Sequence, residues 1–371
     1  MNKLPFKNDW KILTSFLPDD WEIQAEELGA LKRKRNFDSA DSLLRVLLIH
    51  LADGKSLRST VAYAKQAGLC EVSDTALLYR LKESGKWLRK MAEGVMQKMP
   101  LKVDDFSSKY QMRIVDGSVI SEPGSTGSDW RIHYSFSLDN LRCDNFNITS
   151  VKKGETLKMY KINQNDIILG DRGYCSRNGI MHVLDKGGNV ILRFHSTNLP
   201  LFTRKNEKVA LLRRLKKLKD NEIKDCDVWF KSPKNNQLVK GRICAIRKSK
   251  EAIEKAKKKI FRSASKRGGS IRKETLEYAE YVIIFTTLNR HIFKSKKILS
   301  LYRGRWQIEL VFKRLKSILK IGHLPKHDED SCIAWLYGKM LVALLTERLH
   351  QEAEFFSPWG FPLSIAFNRQ L

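Results

Sequence analysis

Three acidic residues stand where carboxylate oxygens could hold metal ions. Asp116 follows the apolar run MRIV and precedes a glycine, and Asp171 follows the apolar run DIILG. Each pattern predicts a carboxylate that leaves a strand towards a cleft, an arrangement that is common in α/β proteins. Glu309 lies in the segment LYRGRWQIELVFKRLKSILK, whose periodicity predicts a helix. Together they supply the hard oxygen ligands that Mg2+ prefers.

The helix predicted over residues 301–320 has two different faces. At 100° per residue, four polar side chains fall within about 60° of one another. They are Tyr302, Arg305, Glu309 and Lys316. The apolar face that would pack on a sheet contains Ile308, Val311, Leu315 and Leu319. An ordinary surface helix with Arg to Glu pairing at i and i+4 explains the polar face equally well.

Cleavage of a phosphodiester bond would use all of these groups. The reaction requires an activated water or hydroxyl group, a stabilised leaving oxygen and neutralisation of the charge at phosphorus. Two divalent cations about 4 Å apart supply all three, and carboxylates hold such ions. Arginine and lysine beside the carboxylates would bind the phosphates of the substrate.

The composition indicates a negatively charged partner. The 371 residues include 69 Lys and Arg against 41 Asp and Glu, which gives a formal charge of +28 and a pI near 9.8. Nucleic acid fits better than a membrane surface, because the positive charge is spread along the chain rather than gathered on one amphipathic helix. Charge alone leaves a basic, ribosome-associated protein as an alternative.

Two further features bear on the cellular compartment. The longest apolar stretch, residues 333–345, is too short to span a bilayer and contains Lys339, which argues against a membrane protein. The six cysteines form no CxxC pair, and no apolar leader precedes them. Both features predict a cytoplasmic protein with reduced thiols.

The residues around the three carboxylates resemble a known protein family. VDGS at Asp116, GDRGY at Asp171 and the pattern Y-x2-R-x3-E-x6-K that ends at Lys316 resemble the DDE transposases of the insertion sequence four family. The last pattern is the Tyr-Arg-Glu-Lys signature of that family with its spacing intact, and it is more specific than either aspartate motif. The resemblance covers residues 110 to 345, and the 138 residues between Asp171 and Glu309 suit the insertion that this family carries.

The resemblance implies a fold, an activity and a cofactor. The fold would be a ribonuclease-H-like core with a mixed sheet, an N-terminal helical domain and a basic, mostly β insertion before the helix that carries Glu309. The activity would be cut-and-paste transposition, with two Mg2+ ions held by Asp116, Asp171 and Glu309 and with Mn2+ able to replace Mg2+. A homodimer would synapse double-stranded DNA at the element ends and the target, and would associate with the bacterial nucleoid when bound to DNA.

The resemblance also implies DNA contacts. In that family the Tyr, Arg and Lys of the signature contact DNA near the cut end, so these roles are assigned to Tyr302, Arg305 and Lys316. Arg172 is also predicted to bind DNA. Relatives that pass through a DNA hairpin stack a flipped base on a tryptophan just ahead of the strand before the signature helix. This sequence reads LEYAEYVIIFTTL there, and Tyr281 is the nearest aromatic residue. Trp229 is a rival for the stacking role, and packing in the core is the alternative for both.

Residues 1–105 are predicted to form a helical DNA-recognition region. Two helical patterns within it are separated by a turn that contains Gly68. They fit a helix-turn-helix with Arg80 and Lys82 on its second helix. Helical pairs joined by a glycine turn are also common in proteins that never bind DNA.

The catalytic core is predicted in two parts, residues 106–196 and residues 282–371. Strand periodicity begins near Tyr110, and strands then alternate with helices, which is an α/β plan. In the second part a helix over residues 295–319 is predicted to break near Gly304. A last helix is predicted over residues 330–350.

Residues 197–281, between these parts, are predicted to form the basic insertion. Residues 201–281 contain 25 Lys and Arg against 10 Asp and Glu, more than half of the excess charge of the chain. This composition favours a subdomain that faces DNA. A solvated, mobile loop, above all over residues 248–270, is the alternative.

The whole sequence therefore predicts a DDE transposase that binds terminal inverted repeats and cleaves and joins DNA. A metal-dependent nuclease that cuts without joining and a non-catalytic DNA-binding descendant of a transposase stay open as alternatives. Several other polar residues are predicted to have structural roles: Glu122, Asp139, Asp144, Cys175, His195, His323 and His327.

Overall fold

The computed structural model describes residues 7–32, 36–98, 109–138, 142–317, 319–322, 324–325 and 328–355. Its N-terminal part is helical, as predicted. The helices are α1 (Lys7–Ser15), α2 (Trp21–Glu27), α3 (Ala40–Asp53), α4 (Leu57–Gln66), α5 (Asp74–Glu83) and α6 (Gly85–Lys98). Serine side chains cap several of them; Ser39, Ser56 and Ser73 accept hydrogen bonds from the first turns of α3, α4 and α5.

Strands and helices alternate over the rest of the described chain. The strands are β1 (Gln111–Ile120), β2 (Trp130–Ser137), β3 (Arg142–Ser150), β4 (Asp166–Gly170), β5 (Asn189–Arg193), β6 (Ile223–Lys231), β7 (Leu238–Arg247) and β8 (Tyr281–Thr286). The helices are α7 (Arg177–Leu184), α8 (Leu211–Leu215), α9 (Lys250–Arg267), α10 (Lys273–Ala279), α11 (Ser295–Arg303), α12 (Trp306–Ser317) and α13 (Glu329–Phe355). A short 3-10 turn, Leu157–Met159, precedes β4.

The eight strands form one mixed sheet in the order β3-β2-β1-β4-β5-β8-β7-β6. β1, β4 and β5 run parallel to one another, and the other neighbouring pairs are antiparallel. Ile114 and Val115, which are consecutive in β1, are both fully buried but belong to different hydrophobic clusters. Because side chains alternate along a strand, the sheet is covered on both faces. The predicted mixed α/β architecture is confirmed.

The insertion over residues 197–281 was predicted to be mostly β, and this prediction is wrong. Its strands β6 and β7 have 9 and 10 residues, and its helices α8, α9 and α10 have 5, 18 and 7. Arg242 to Arg247 of β7 pair with β8, and β6 pairs with β7, so β6 and β7 extend the sheet of the core. The stretch predicted as a possible loop over residues 248–270 instead forms α9, which Ser249 caps.

The N-terminal helices and the last helix share a hydrophobic core. α13 packs against α3, α5 and α6, and residues from all four belong to the cluster that covers one face of the sheet. A methyl group added to Gly338 of α13 would lie 2.5 Å from Cδ1 of Leu51 in α3. α13 matches the helix predicted over residues 330–350. None of the helices in the described part of the chain is long and apolar enough to cross a membrane.

The predicted helix-turn-helix pair corresponds to α4 and α5, and Arg80 and Lys82, the two cations predicted on its second helix, both contact other parts of the protein. Nη1 of Arg80 lies 3.4 Å from the carbonyl oxygen of Ala30 and from Oε2 of Glu83. Nζ of Lys82 lies 3.2 Å from Asp328, which immediately precedes α13. The exposed residues of this helix are Thr75, Tyr79 and Glu83, with Tyr79 63% exposed.

Asp144 lies in β3 rather than in a surface turn, so its predicted place is wrong. Its carboxylate pairs with the buried guanidinium of Arg113, with 2.6 Å between Oδ2 and Nε. Arg113 also donates to Asp166 at 2.8 Å. These contacts hold the starts of β1, β3 and β4 together, at the ends of the strands away from Asp171. The predictions for Asp139, His323 and His327 lie outside the described residues.

Candidate active site

Asp116 and Asp171 lie at equivalent places on neighbouring parallel strands. The last register pair between β1 and β4 is Ile114 with Leu169, and each aspartate is two residues further along its strand direction. β4 ends at Gly170, so Asp171 leaves the sheet as predicted. Asp116 does not stand at a strand end, because β1 continues to Ile120 in its pairing with β2. It lies instead where the β4 pairing stops.

The Asp116 carboxylate is mostly buried, with its side chain 18% exposed. Its Oδ1 accepts a hydrogen bond from the Gly117 amide at 2.8 Å. Burial, together with the negative charges of Asp171 and Glu155, raises the pKa of Asp116 to about 6, although the Gly117 amide and Arg305 act in the opposite direction. This carboxylate is therefore poised to accept a positive charge.

Glu155 is a fourth carboxylate at this place, and sequence reasoning missed it. A methyl group added to Gly173 would lie 2.7 Å from Oε2 of Glu155 and 3.1 Å from Oδ1 of Asp171, so both oxygens face the same small space. A methyl group on Gly117 would lie 3.3 Å from Cγ of Glu155. The glycines of VDGS and GDRGY thus leave room for this side chain. Burial and then Asp171 raise the pKa of Glu155.

Arg305 connects Asp116 to Glu309. Its Nη2 donates a short hydrogen bond to Oε1 of Glu309, and its Nη1 lies 3.9 Å from Oδ2 of Asp116. The Glu309 side chain is 59% exposed and the Arg305 side chain is 21% exposed. A single guanidinium group therefore lies between a strand carboxylate and the helix carboxylate.

The chain that carries the signature residues breaks as predicted near Gly304. Tyr302 is in α11, Arg305 lies between the two helices, and Glu309 and Lys316 are in α12. The four residues therefore do not lie on one continuous helix, as was predicted. Only Glu309 and Lys316, seven residues apart, share a helical face. Tyr302 nevertheless lies close to Arg305. Burial raises the pKa of its hydroxyl group, and the charges of nearby Arg305 and Arg193 act in the opposite direction.

A hydrogen-bonded pair of tyrosines supports Asp116 from below. The Tyr160 hydroxyl lies 3.0 Å from the main-chain oxygen of Asp116 and 3.0 Å from the Tyr174 hydroxyl. Both rings are buried, with Tyr174 fully so.

Cys175 is fully buried too, and burial raises the pKa of its thiol to about 12, as suits its predicted packing role.

A recess rich in basic side chains lies next to Asp171. It has a volume of about 160 Å³, and its lining includes Arg172, Arg193, His195, Tyr278 and Tyr281. Burial and the charges of Arg193 and Arg172 lower the pKa of nearby Lys248 to about 8. Burial and Arg172 also lower the pKa of His195.

Tyr281 is only 3% exposed and belongs to a hydrophobic cluster. This position favours core packing over the base stacking that was predicted, because a ring that is buried to this extent exposes almost no surface to a base. Trp229, in β6, is half-buried, and its main chain pairs with Phe202. The exposed residues assigned to DNA are Arg172 and Lys316.

The donor atoms suit a hard divalent cation, although the carboxylates do not all converge. Asp116, Asp171 and Glu155 present oxygen ligands, whereas Glu309 is engaged by Arg305. Among the residues that the structure describes, no three His, Cys, Asp or Glu side chains already surround a common metal position. A turn of Glu309 away from Arg305 would be needed to add it to the group.

Comparisons with known proteins agree with one another. Residues 141–345 match the family described as "Transposase DDE domain", a segment that contains Asp171 and Glu309 and begins after Asp116. The chain is 28% identical over 357 residues to the putative transposase InsL for insertion sequence element IS186A of Escherichia coli (strain K12), with 95% of this chain and 96% of the relative covered. It is also 28% identical over 358 residues to the transposase for insertion sequence element IS421 of Escherichia coli, with the same coverage. A third relative is the transposase for insertion sequence element IS231B of Bacillus thuringiensis subsp. berliner, 21% identical over 88% of this chain and 76% of the relative.

Proposed function

The chain belongs to the family of transposases with a DDE domain, and from this premise we propose that it cuts DNA at the ends of an insertion sequence element and joins those ends to a target. Asp116, Asp171 and Glu309 are its three catalytic carboxylates, and Mg2+ is its cofactor, with Mn2+ able to replace it. The observation that carries this assignment is Arg305, which contacts Asp116 of the sheet and Glu309 of α12 at once.

The metal chemistry follows from the donor set. Two bound divalent ions would activate the attacking oxygen, stabilise the leaving oxygen and offset the charge at phosphorus. Asp116 and Asp171, with Glu155 beside them, would hold them from the sheet side. Glu309 would complete the set from α12 once Arg305 has turned to a substrate phosphate, since a guanidinium group binds phosphate in the same planar, two-pronged manner as carboxylate.

The remaining site residues would position the DNA strand. Tyr302 and Arg305 lie beside the carboxylates, and Lys316 is exposed further along α12. Arg172 is exposed directly after Asp171. We assign Tyr302, Arg305 and Lys316 to phosphate contacts at the cut end, in keeping with the Tyr-Arg-Glu-Lys signature of the insertion sequence four family. We assign Arg172 to a DNA contact because it is exposed beside Asp171.

Architecture and assembly are part of the same proposal. An antiparallel β1-β2-β3 unit followed by parallel β4 and β5 supports a ribonuclease-H-like core. The substrate is double-stranded DNA, and a homodimer brings the two element ends together. The relatives are named as transposases of insertion sequence elements, which supports this substrate for the present chain.

The proposal is tested with duplexes that carry the inverted repeats flanking the gene and with a supercoiled target, in the presence of Mg2+. Asp116→Asn, Asp171→Asn and Glu309→Gln keep the side-chain shape but remove a charge that holds metal. We expect each to reduce cleavage and joining by orders of magnitude while repeat binding persists. Glu22→Gln, at an exposed position of α2, is the control and should react normally.

The outcomes separate the proposal from its alternatives. Cleavage by the wild type without any joined product would indicate a nuclease. Repeat binding without metal-dependent nicking would indicate a DNA-binding protein that has lost catalysis. Normal cleavage by Glu309→Gln would remove Glu309 from the site.

A further inference from the structure

The outer face of α9 carries a row of basic side chains. Lys255, Lys259, Arg262 and Lys266 are all exposed. At 100° per residue they fall within about 60° of one another on the helix. The opposite face contains Ile253, Lys257, Ile260 and Ala264, all at least partly buried. The helix thus has an inner side that packs and an outer side that is cationic.

The inner and outer lysines have different surroundings. Lys257 is paired with Glu280 at the end of α10, with 2.7 Å between Nζ and Oε1. On the outer side, Glu251 in the first turn accepts a hydrogen bond from the Ser249 hydroxyl at 3.0 Å, and Glu254 is exposed at the flank of the row. Like charges at i and i+4 destabilise an isolated helix, so the row of four cations that follows these two acidic residues is better explained by a polyanionic partner than by the stability of the helix.

The helix that carries the row is held near the candidate active site. α9 packs against α10, whose Thr275 and Tyr278 line the basic recess together with Arg172. Lys248, two residues before α9, donates a hydrogen bond to the main-chain oxygen of Ala279 at the end of α10, at 2.6 Å. α9 is therefore held beside the element that borders the recess, and Arg172 in that recess adjoins Asp171.

We propose that the outer face of α9 binds the phosphate backbone of duplex DNA that leads away from the cut site, an inference that rests on the proposed function. From Lys255 to Lys266 the helix rises about 16 Å, which corresponds to roughly five base pairs of duplex. One strand of the duplex presents about five phosphates over that length, so four cations can pair with most of the phosphates of one strand. The contact is independent of sequence, because it is made to phosphates alone.

The salt dependence of DNA binding tests this surface. Lys259→Gln/Arg262→Gln removes two cations from the outer face. Lys161→Gln/Lys186→Gln is the control, because it removes two exposed cations that precede β4 and β5, at the edge of the sheet away from Asp171. Each lost phosphate contact lowers the magnitude of the slope of log K against log salt by about 0.9. We expect this magnitude to fall by about 2 for the α9 variant and to stay unchanged for the control variant.

Duplex length gives a second readout. Lengthening the DNA by about five base pairs beyond the cut site should strengthen binding by the wild type and by the control variant but not by the α9 variant. An unchanged slope with an unchanged length dependence would overturn the inference, and so would an equal loss in both variants. Circular dichroism confirms that α9 still forms.

The two proposals fail in different ways. At saturating DNA the α9 variant should still cleave, since its side chains are outside the carboxylate site. If Asp171→Asn is inactive while the α9 variant keeps the wild-type slope, only the inference about α9 is wrong. If Asp171→Asn cleaves normally, the proposed catalytic site is wrong whatever the slope.

Discussion

Nη1 of Arg305 lies 3.9 Å from Oδ2 of Asp116, a carboxylate whose pKa is about 6 even with this cation beside it. The folded protein therefore keeps a buried acid in a place that disfavours its charge. Ionisation of Asp116 in this position lowers the free energy of unfolding. A bound cation would offset that cost, which suits a metal ligand.

Asp116→Asn should stabilise the protein in metal-free buffer at pH 7.5. The unfolded chain loses the Asp116 proton near the ordinary pKa of 3.8 and the folded chain near 6, so the wild type loses stability as the pH rises between these values. The amide cannot ionise, and the gain should be of the order of 1 to 3 kcal/mol. Denaturant unfolding at pH 7.5 and pH 4 measures it. The gain should disappear at pH 4, and an equal gain at both values would contradict the electrostatic cause.

Arg305→Ala should change metal binding and DNA binding in opposite directions. Without the guanidinium group, Asp116 and Glu309 lose their internal cation, so Mn2+ binding in the absence of DNA should tighten. Binding of cut DNA ends should weaken because a phosphate contact is lost. Mn2+ titration followed by electron paramagnetic resonance and a DNA titration measure the two effects. Weakening of both would mean that Arg305 supports the fold of the site. Arg305→Lys retains the charge and serves as the comparison.

Glu155→Gln should weaken Mn2+ binding by about tenfold or more, the scale on which supporting groups around metal ligands act. Its carboxylate faces the same space as that of Asp171, so loss of its charge leaves the ions less compensated. Glu22→Gln removes an equal charge from α2 and should bind Mn2+ as the wild type does. If Asp171→Asn lowers the affinity and Glu155→Gln does not, Glu155 is outside the metal site.

The sequence predicted the elements that local patterns define. Asp171 after β4, the break near Gly304 and the helix α13 all follow from periodicity and from glycine, which act over a few residues. Glu155 could not be found in this way, because a single glutamate in KKGETLK has no pattern. Only the crossing of the chain between β3 and β4 brings it to Asp171. The one local signal was the glycine after each aspartate motif, which leaves the space that Glu155 fills.

Long-range contacts account for the other misses. β7 pairs with β8, which lies beyond α9 and α10, and no local pattern indicates such a partner. The helical period of α9 was missed because the segment is rich in lysine and the inner face of the helix is only weakly apolar. The ion pair of Lys82 could not be predicted either, because its partner, Asp328, is almost 250 residues away in the sequence.

Gly338→Ala should destabilise the whole protein, because the N-terminal helices and α13 share one core. The added methyl group would lie 2.5 Å from Cδ1 of the fully buried Leu51. Overpacking of this kind costs about 1 to 3 kcal/mol, more than the roughly 1 kcal/mol that alanine gains in a helix. Denaturant unfolding measures the difference. Leu51→Ala should be less harmful in the Gly338→Ala background than in the wild type. Additive effects would show that the two positions do not contact each other.

The exposed side of α5, rather than the side that carries Lys82, is expected to read the element ends. Lys82 pairs with Asp328 beside α13, whereas Thr75 and Tyr79 are exposed on the same helix four residues apart. If α5 enters the major groove as the second helix of a helix-turn-helix, these two side chains are placed to meet base edges.

Tyr79→Ala should therefore reduce the preference for the terminal repeat over a scrambled duplex, by the roughly 1 to 3 kcal/mol that one base contact supplies. Binding to the scrambled duplex and thermal unfolding should stay near the wild type, since the Tyr79 ring is 63% exposed. Lys82→Ala is the matched variant on the same helix. It removes a partly exposed ion pair, so it should change stability by no more than about 1 kcal/mol and leave the preference intact. Competition binding with both duplexes decides between them. A preference that survives Tyr79→Ala but is lost in Lys82→Ala would return the DNA-facing role to Lys82 and would require its pair with Asp328 to open on DNA.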